Sequence, residues 1–184
     1  MKFEADLILF FQSIYSSDIS INFFKIITFL GSYVGIAIMF IILFTKDKKL
    51  SFYFLVFAIA LPILNYLVKF IINRPRPYIT YPEIVNVLRA KGSSMPSSHS
   101  IVISSICVYS FLATKRYISN KYLRVCVNIA MVVITVLVLI SRMVLGQHYI
   151  TDIIVGVIIG IVSSIASIIF YINKNESFIV LKEE

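Results

Sequence analysis

The chain has 184 residues, of which 59% are hydrophobic and 14% charged, and its formal net charge is +8. Soluble domains carry about 45–50% apolar and about 25% charged residues, so this balance excludes an ordinary soluble domain and points to one integral membrane domain, residues 1–184. The positive charge does not indicate nucleic acid: no basic run or RNA-binding signature carries it, and the cations sit between apolar segments, as topology determinants and headgroup contacts do.

Residues 1–17 read as an amphipathic helix in the membrane interface. Phe3, Leu7, Phe11, Ile14 and Tyr15 share one helical face, while Glu4, Asp6, Gln12 and Ser13 gather elsewhere. A short, tilted sixth span is the rival reading. The acids Glu4 and Asp6 stand where a signal peptide is basic, and no small-residue cleavage site follows, so no removed leader is expected.

Five apolar segments follow: Phe23 to Phe44, Ser51 to Ile72, Ser98 to Ala113, Leu123 to Ile140, and Tyr149 to Ile172. A helix needs about 20 residues to cross the hydrocarbon core. The third segment reaches that length only by using its polar start, Ser98-His99-Ser100, which hints at a polar pocket there. Runs this long are not the alternating strands of an outer-membrane barrel. The expected fold is an all-α membrane bundle of about five transmembrane helices plus the N-terminal helix. Cys107 and Cys126 fall inside apolar runs and read as small core residues, with no zinc spacing or disulfide framework around them.

Lys46, Lys48 and Lys49 fill the first short connection, and Lys115, Arg116, Lys121 and Arg124 the third. The positive-inside rule places both in the cytoplasm. The connection from Asn73 to Pro96 and the turn from Arg142 to His148 then face the other side.

Three polar clusters converge on that extracytoplasmic face. Lys69 and Arg76 lie at and beyond the end of the second segment, Ser97 to His99 open the third, Arg142 closes the fourth and His148 opens the fifth. Lys69, Arg76 and Arg142 supply three positive charges for a phosphate. The Pro96-Ser97-Ser98 helix start adds free amides and the positive end of a helix dipole. His148 and Asp152 are four residues apart, so the carboxylate can hold one ring nitrogen protonated and leave the other as a nucleophile. His99 is then free to protonate a leaving oxygen. Singly, these groups have bland readings: snorkelling cations, helix caps, interhelical hydrogen bonds. Jointly those readings need separate explanations for one shared location.

Together the residues resemble the type 2 phosphatidic acid phosphatase (PAP2) superfamily, which includes vanadium haloperoxidases and glucose-6-phosphatase. Its motifs are Lys-x6-Arg-Pro, Pro-Ser-Gly-His and Ser-Arg-x5-His-x3-Asp. Lys69 to Arg76-Pro77 matches the first, and Ser141-Arg142 to His148 and Asp152 the third. Pro96-Ser97-Ser98-His99 matches the second except that Ser98 replaces glycine. The motif-bearing core is thus residues 69–152.

The resemblance implies a phosphohistidine mechanism with no metal or other cofactor. His148 attacks phosphorus, Asp152 orients it, and His99 protonates the leaving group and later activates water. Lys69, Arg76, Ser97, the Ser98 amide and Arg142 bind the phosphoryl oxygens. The replacement of glycine by Ser98 is expected to be tolerated at a helix start, where no positive φ is needed. Met95-Pro96-Ser97-Ser98-His99-Ser100 is similar to the version in polyprenyl diphosphate phosphatases, so undecaprenyl diphosphate at the outer leaflet is the first expected substrate. Phosphatidylglycerophosphate and phosphatidic acid are the alternatives with the same machinery. Arg74, Arg89 and Lys91 stand as spare cations for a second phosphate or for anionic headgroups. A non-catalytic lipid-phosphate binder or transporter is the reading from another class, although no internal repeat or midplane charge supports transport.

Overall fold

Apolar runs bounded by small polar caps become helices along residues 2–180, the part of the chain that the computed structural model describes, with side chains through Asn175. The helices are α1 (Lys2–Ile14), α2 (Asp18–Ile27), α3 (Tyr33–Lys46), α4 (Lys48–Ile72), α5 (Pro77–Thr80), α6 (Ser98–Tyr117), α7 (Lys121–Val144) and α8 (Ile150–Val180). Side-chain oxygens of Ser17, Ser32, Asp47, Ser97 and Asn120 accept from first-turn amides of α2, α3, α4, α6 and α7. Each cap satisfies donors that a helix start otherwise leaves unpaired.

An all-helical membrane bundle results, as the hydropathy pattern predicts. Among the described residues, Lys48–Thr80, Lys121–Val144 and Ile150–Asn175 are each long and apolar enough to cross a membrane. The expected first span is interrupted. A 3-10 turn at Thr28–Gly31 separates α2 from the 14-residue α3. Lys2–Ile14 and Asp18–Gly31 meet at 116°, and only together do they match a span in length and composition. The break has a packing cause. A Cβ on Gly31 would stand 2.7 Å from Val138 Cγ1 and 3.1 Å from the His99 carbonyl oxygen. Backbone there runs directly against α6 and α7.

The polar character of α6 follows from its position. It packs against α3, α7 and α8, and Ser100, Ser104, Ser105, Ser110 and Thr114 are all buried on it. A Cβ on Gly156 would lie 2.7 Å from the Ser97 carbonyl oxygen, and one on Gly160 would lie 2.1 Å from Ser104 Oγ. The Gly156-x3-Gly160 stripe thus lets α8 lie against the serine face of α6 at backbone distance. Ser105 Oγ donates to the Gly160 carbonyl at 3.2 Å, sealing that seam.

α1 is turned differently from the sequence expectation. Its Glu4, Ala5 and Ile8 are buried, whereas Phe3, Phe10 and Ile14 are exposed. Ala5 and Ile8 join Ile84, Met143, Tyr149 and Ile153 in one apolar cluster. Gln12 also points inward: its Nε2 donates to the Val85 carbonyl at 2.9 Å and its Oε1 accepts from the Val85 amide at 3.1 Å. Part of the polar face therefore meets protein, and the exposed apolar side chains are left for lipid. Cys126 departs from expectation too. It is exposed on α7, and Cys107 is half-buried.

At the other end of the bundle, Asp47 ties the first and third connections together. Its Oδ2 accepts from Tyr171 Oη at 2.7 Å and Tyr117 Oη at 3.1 Å, and stands 3.5 Å from Arg116 Nη2. The basic connections thus share one end, and the polar clusters lie at the opposite one.

Candidate active site

Four helix ends and the connection between α4 and α6 enclose a cavity of about 420 Å³. Lys69, Arg76, Ser98, His99, Arg142 and His148 all line it. Residues from three separate motifs therefore reach one cavity, and His99 and His148 share a face of the bundle. Ser97 and Asp152 lie directly behind this lining, both fully buried.

His148 does not stand on a helix. It occupies the turn before α8, with its amide 3.3 Å from the Arg142 carbonyl. Gly146 makes that turn with φ +69°, and a Cβ there would fall 2.2 Å from the Val85 carbonyl oxygen. Only glycine meets both demands without strain. The turn carries His148 to the cavity while Asp152 sits in the first turn of α8. His148 Nδ1 is 3.7 Å from Asp152 Oδ2, beyond hydrogen-bond length, and has no other hydrogen-bond partner among the described residues. The carboxylate is fixed by other donors: the Tyr149 amide gives to Oδ2 at 2.9 Å and Arg74 Nη1 to Oδ1 at 2.6 Å. Burial, reinforced by Arg142 and Arg76 and opposed by Asp152, pushes the His148 pKa down from 6.5 to about 3. The imidazole is therefore neutral near pH 7, the form in which a ring nitrogen carries a free lone pair.

Arg76 and Lys69 are pre-arranged by backbone carbonyls, and Arg142 by a hydroxyl. Arg76 donates through Nε to Gly92 O at 3.0 Å, through Nη2 to Lys91 O at 3.1 Å and through Nη1 to Gln147 O at 3.2 Å. Lys69 Nζ donates to Ser93 O at 2.8 Å. Arg142 is 3% exposed and donates through Nη1 to Thr28 Oγ1 at 2.6 Å, while its Nε has no partner among the described residues. The broken first segment supplies that threonine. A buried guanidinium with an unmet donor is costly unless an anion completes it.

Ser98 opens α6 with a negative φ, so the side chain brings no backbone strain. Asn65 Nδ2 donates to Ser98 Oγ at 2.7 Å. Ser97 Oγ caps the helix by accepting from the Ser100 amide at 3.4 Å, and the Ser97 amide donates to the Asp152 carbonyl oxygen at 3.1 Å. With the Ser97 and Ser100 amides taken up in this way, the Ser98 and His99 amides are the ones left at the helix start for an anion.

Arg74 is not a spare cation. It pairs with Glu4 at 2.8 Å and with Asp152 at 2.6 Å. Arg89 is exposed, and Lys91 lines the cavity. Sequence reasoning missed Glu4, Thr28, Asn65 and Thr151, whose partners are all far away along the chain. Among the described residues, no group of three or more His, Cys, Asp or Glu is placed to hold a metal ion.

A second crevice of about 360 Å³ leads off the first, sharing Tyr66, Lys69, Ser98 and His99 with it. Leu61, Pro62, Ile101 and Val102 give it an apolar wall between α4 and α6. A larger apolar cavity of about 490 Å³, beside Met39, Ile106 and Met131, contains none of the expected site residues.

The family model described as the PAP2 superfamily matches residues 50–176. Comparison with curated proteins gives no match. Among solved structures, the chain is similar to a transmembrane PAP2 type phosphatidylglycerolphosphate phosphatase from Bacillus subtilis, with 25% identity and a TM-score of 0.76 over 92% of this chain and 84% of that one. It is also similar to LpxE from Aquifex aeolicus, with 25% identity and a TM-score of 0.68 over 86% of this chain and 92% of that one.

Proposed function

The chain belongs to the PAP2 superfamily, and on that footing we propose that this multi-pass membrane protein is a single-domain lipid phosphatase working through a phosphohistidine intermediate. The observation that carries the reading is the meeting of His99, His148, Lys69, Arg76 and Arg142 at one cavity. In this mechanism Lys69, Arg76, Arg142, Ser97 and the Ser98 amide hold the phosphoryl oxygens. His148 Nε2 attacks phosphorus, the phosphorus–oxygen bond to the lipid breaks, and His99 gives the leaving oxygen its proton. Asp152 balances the positive charge that forms on the imidazole. A water then gives a proton back to His99 and attacks phosphorus, and the phosphorus–nitrogen bond breaks to free His148. No step calls on a metal.

The apolar crevice between α4 and α6 suits a lipid tail, with the headgroup at Lys69 and His99. The basic connections at the opposite end support an extracytoplasmic site. Undecaprenyl diphosphate remains the first substrate by the Ser98-containing motif. With Arg74 engaged by carboxylates, Lys91 is the cation left at the cavity for a second phosphate. Likeness to the Bacillus subtilis protein favours phosphatidylglycerophosphate as the second reading. The test is phosphate release by the purified protein from a panel of undecaprenyl diphosphate, phosphatidylglycerophosphate and phosphatidic acid, run on wild type and His148→Ala together. The proposal expects turnover lost in the variant and unaffected by chelators. Equal release by His148→Ala refutes the mechanism, and faster turnover of phosphatidylglycerophosphate overturns the first substrate.

A further inference from the structure

The N-terminal helix sends one charged side chain into the protein, and it ends next to the carboxylate behind His148. Glu4 is 9% exposed. Arg74 Nη2 donates to Glu4 Oε2 at 2.8 Å, and Arg74 Nη1 donates to Asp152 Oδ1 at 2.6 Å. Thr151 closes the arrangement: its hydroxyl and amide reach Glu4 Oε1 at 2.6 and 3.2 Å, and Arg74 Nη1 lies 2.6 Å from the same hydroxyl. The guanidinium carbon stands 4.1 Å above the Tyr149 ring centre. One face and both terminal nitrogens of Arg74 are thus occupied. From this geometry, and resting on the phosphatase reading of the site, we propose that Glu4 is a positioning residue for catalysis, acting through Arg74 on the Asp152–His148 pair.

The physical argument is one of shared charge. Asp152 is fully buried, and Arg74 is the cation that touches it. Were Arg74 paired with Asp152 alone, its charge would cancel the carboxylate that must balance a cationic imidazole during attack on phosphorus. Glu4 draws on the other end of the same guanidinium, so Asp152 keeps net negative field toward His148. Two carboxylates also fix the plane of Arg74, and with it the Asp152 rotamer, as a bidentate fork does. Lys69, Arg76 and Arg142 make no contact with Glu4 in these networks, so phosphate binding is left alone.

The discriminating experiment uses the full chain in mixed micelles with phosphatidylglycerophosphate as probe. Variants are Glu4→Gln, Glu4→Asp, Arg74→Met and the Glu4→Gln/Arg74→Met double, with wild type and His148→Ala alongside. Loss of positioning is expected to lower kcat about 10- to 100-fold in Glu4→Gln, with KM changed by less than about twofold. Glu4→Asp is expected to recover part of kcat, and the double variant to be no slower than Arg74→Met. A kcat near wild type in Glu4→Gln, or a loss that tracks a raised KM and a lowered unfolding temperature without rescue by Asp, overturns the proposal. Inactive wild type, or active His148→Ala, instead indicts the phosphatase reading. In that case ¹⁵N-imidazole spectra still decide: the His148 resonances move in Glu4→Gln and return in Glu4→Asp if the coupling is real, and their constancy overturns it.

Discussion

The Ser97 amide donates to the backbone carbonyl of Asp152 across 3.1 Å, joining the first turns of α6 and α8. Asp152 thus has two separable jobs: its main chain ties two helices, and its side chain faces His148. Asp152→Asn keeps the first and removes the charge of the second. It is expected to lower kcat/KM by about 10²–10⁴, by analogy with carboxylates that orient a catalytic histidine, while the unfolding temperature in detergent stays close to wild type. Activity within tenfold of wild type would refute the orienting role.

The seam between α6 and α8 offers a test of packing. Gly160→Ala places a methyl 2.1 Å from Ser104 Oγ and 2.4 Å from the Ile101 carbonyl oxygen, which is backbone and does not yield. Overpacking of this kind costs about 1–3 kcal/mol. A drop in thermal stability with reduced kcat is expected, since the helices that space His99 from His148 must part. Ile161→Ala, changing a partly exposed neighbour (38%), serves as the control that leaves both intact.

Stability should fall with acid through His148. The unfolded ring protonates near 6.5, whereas the folded one resists down to about 3. Between those values the unfolded state binds the extra proton, so the native state loses at most about 1.4 kcal/mol per pH unit from this group. Above 6.5 the contribution is fully present. Unfolding temperatures at pH 7 and pH 5 are expected to differ more in wild type than in His148→Gln. Parallel acid dependence in the two proteins would show that His148 is not buried as a neutral ring.

Asp47 lies at the far end from the site, where stability and activity separate. Burial opposes its ionisation, but the Leu50 amide, the Tyr171 and Tyr117 hydroxyls and Arg116 outweigh that and hold its pKa below 3.8. Asp47→Ala removes the α4 cap and leaves two hydroxyls without an acceptor. The expected cost is about 1–3 kcal/mol, read as a lowered unfolding temperature, with kcat of the folded fraction unchanged. A fall in kcat without a fall in stability would tie this end to the chemistry.

Much of the candidate site was legible because the proposed chemistry calls for residues that are rare in an apolar chain. Two histidines, three cations and a helix-start serine pair stand out wherever the fold puts them, and alternation of helix direction brings their ends together. What stayed hidden depends on which way a helix turns. Glu4 and Gln12 read as a solvated face because nothing local distinguishes a carboxylate facing water from one facing Arg74, seventy positions away. The break at Thr28–Gly31 lay inside a segment apolar enough on average to read as one span, and the reason for it shows only when Val138 and His99 stand beside Gly31. His148 and Asp152 have helical spacing in sequence, yet the Gly146 turn leaves the histidine two residues short of α8.

Contact at backbone distance along Gly156 and Gly160 also decides direction of approach. No acyl or prenyl chain can slip between α6 and α8, because even a methyl group there collides with Ser97, Ser104 and Ile101. The α4 side, where Leu61 and Pro62 face Ile101 and Val102, is left as the open flank. Under the proposed reading, His99 lines both that flank and the cavity while His148 lines the cavity alone, so each lipid arrives with its tail toward the proton donor and its phosphorus toward the nucleophile. A seam closed to lipid on one side of α6 would then set the direction from which the substrate comes to both histidines.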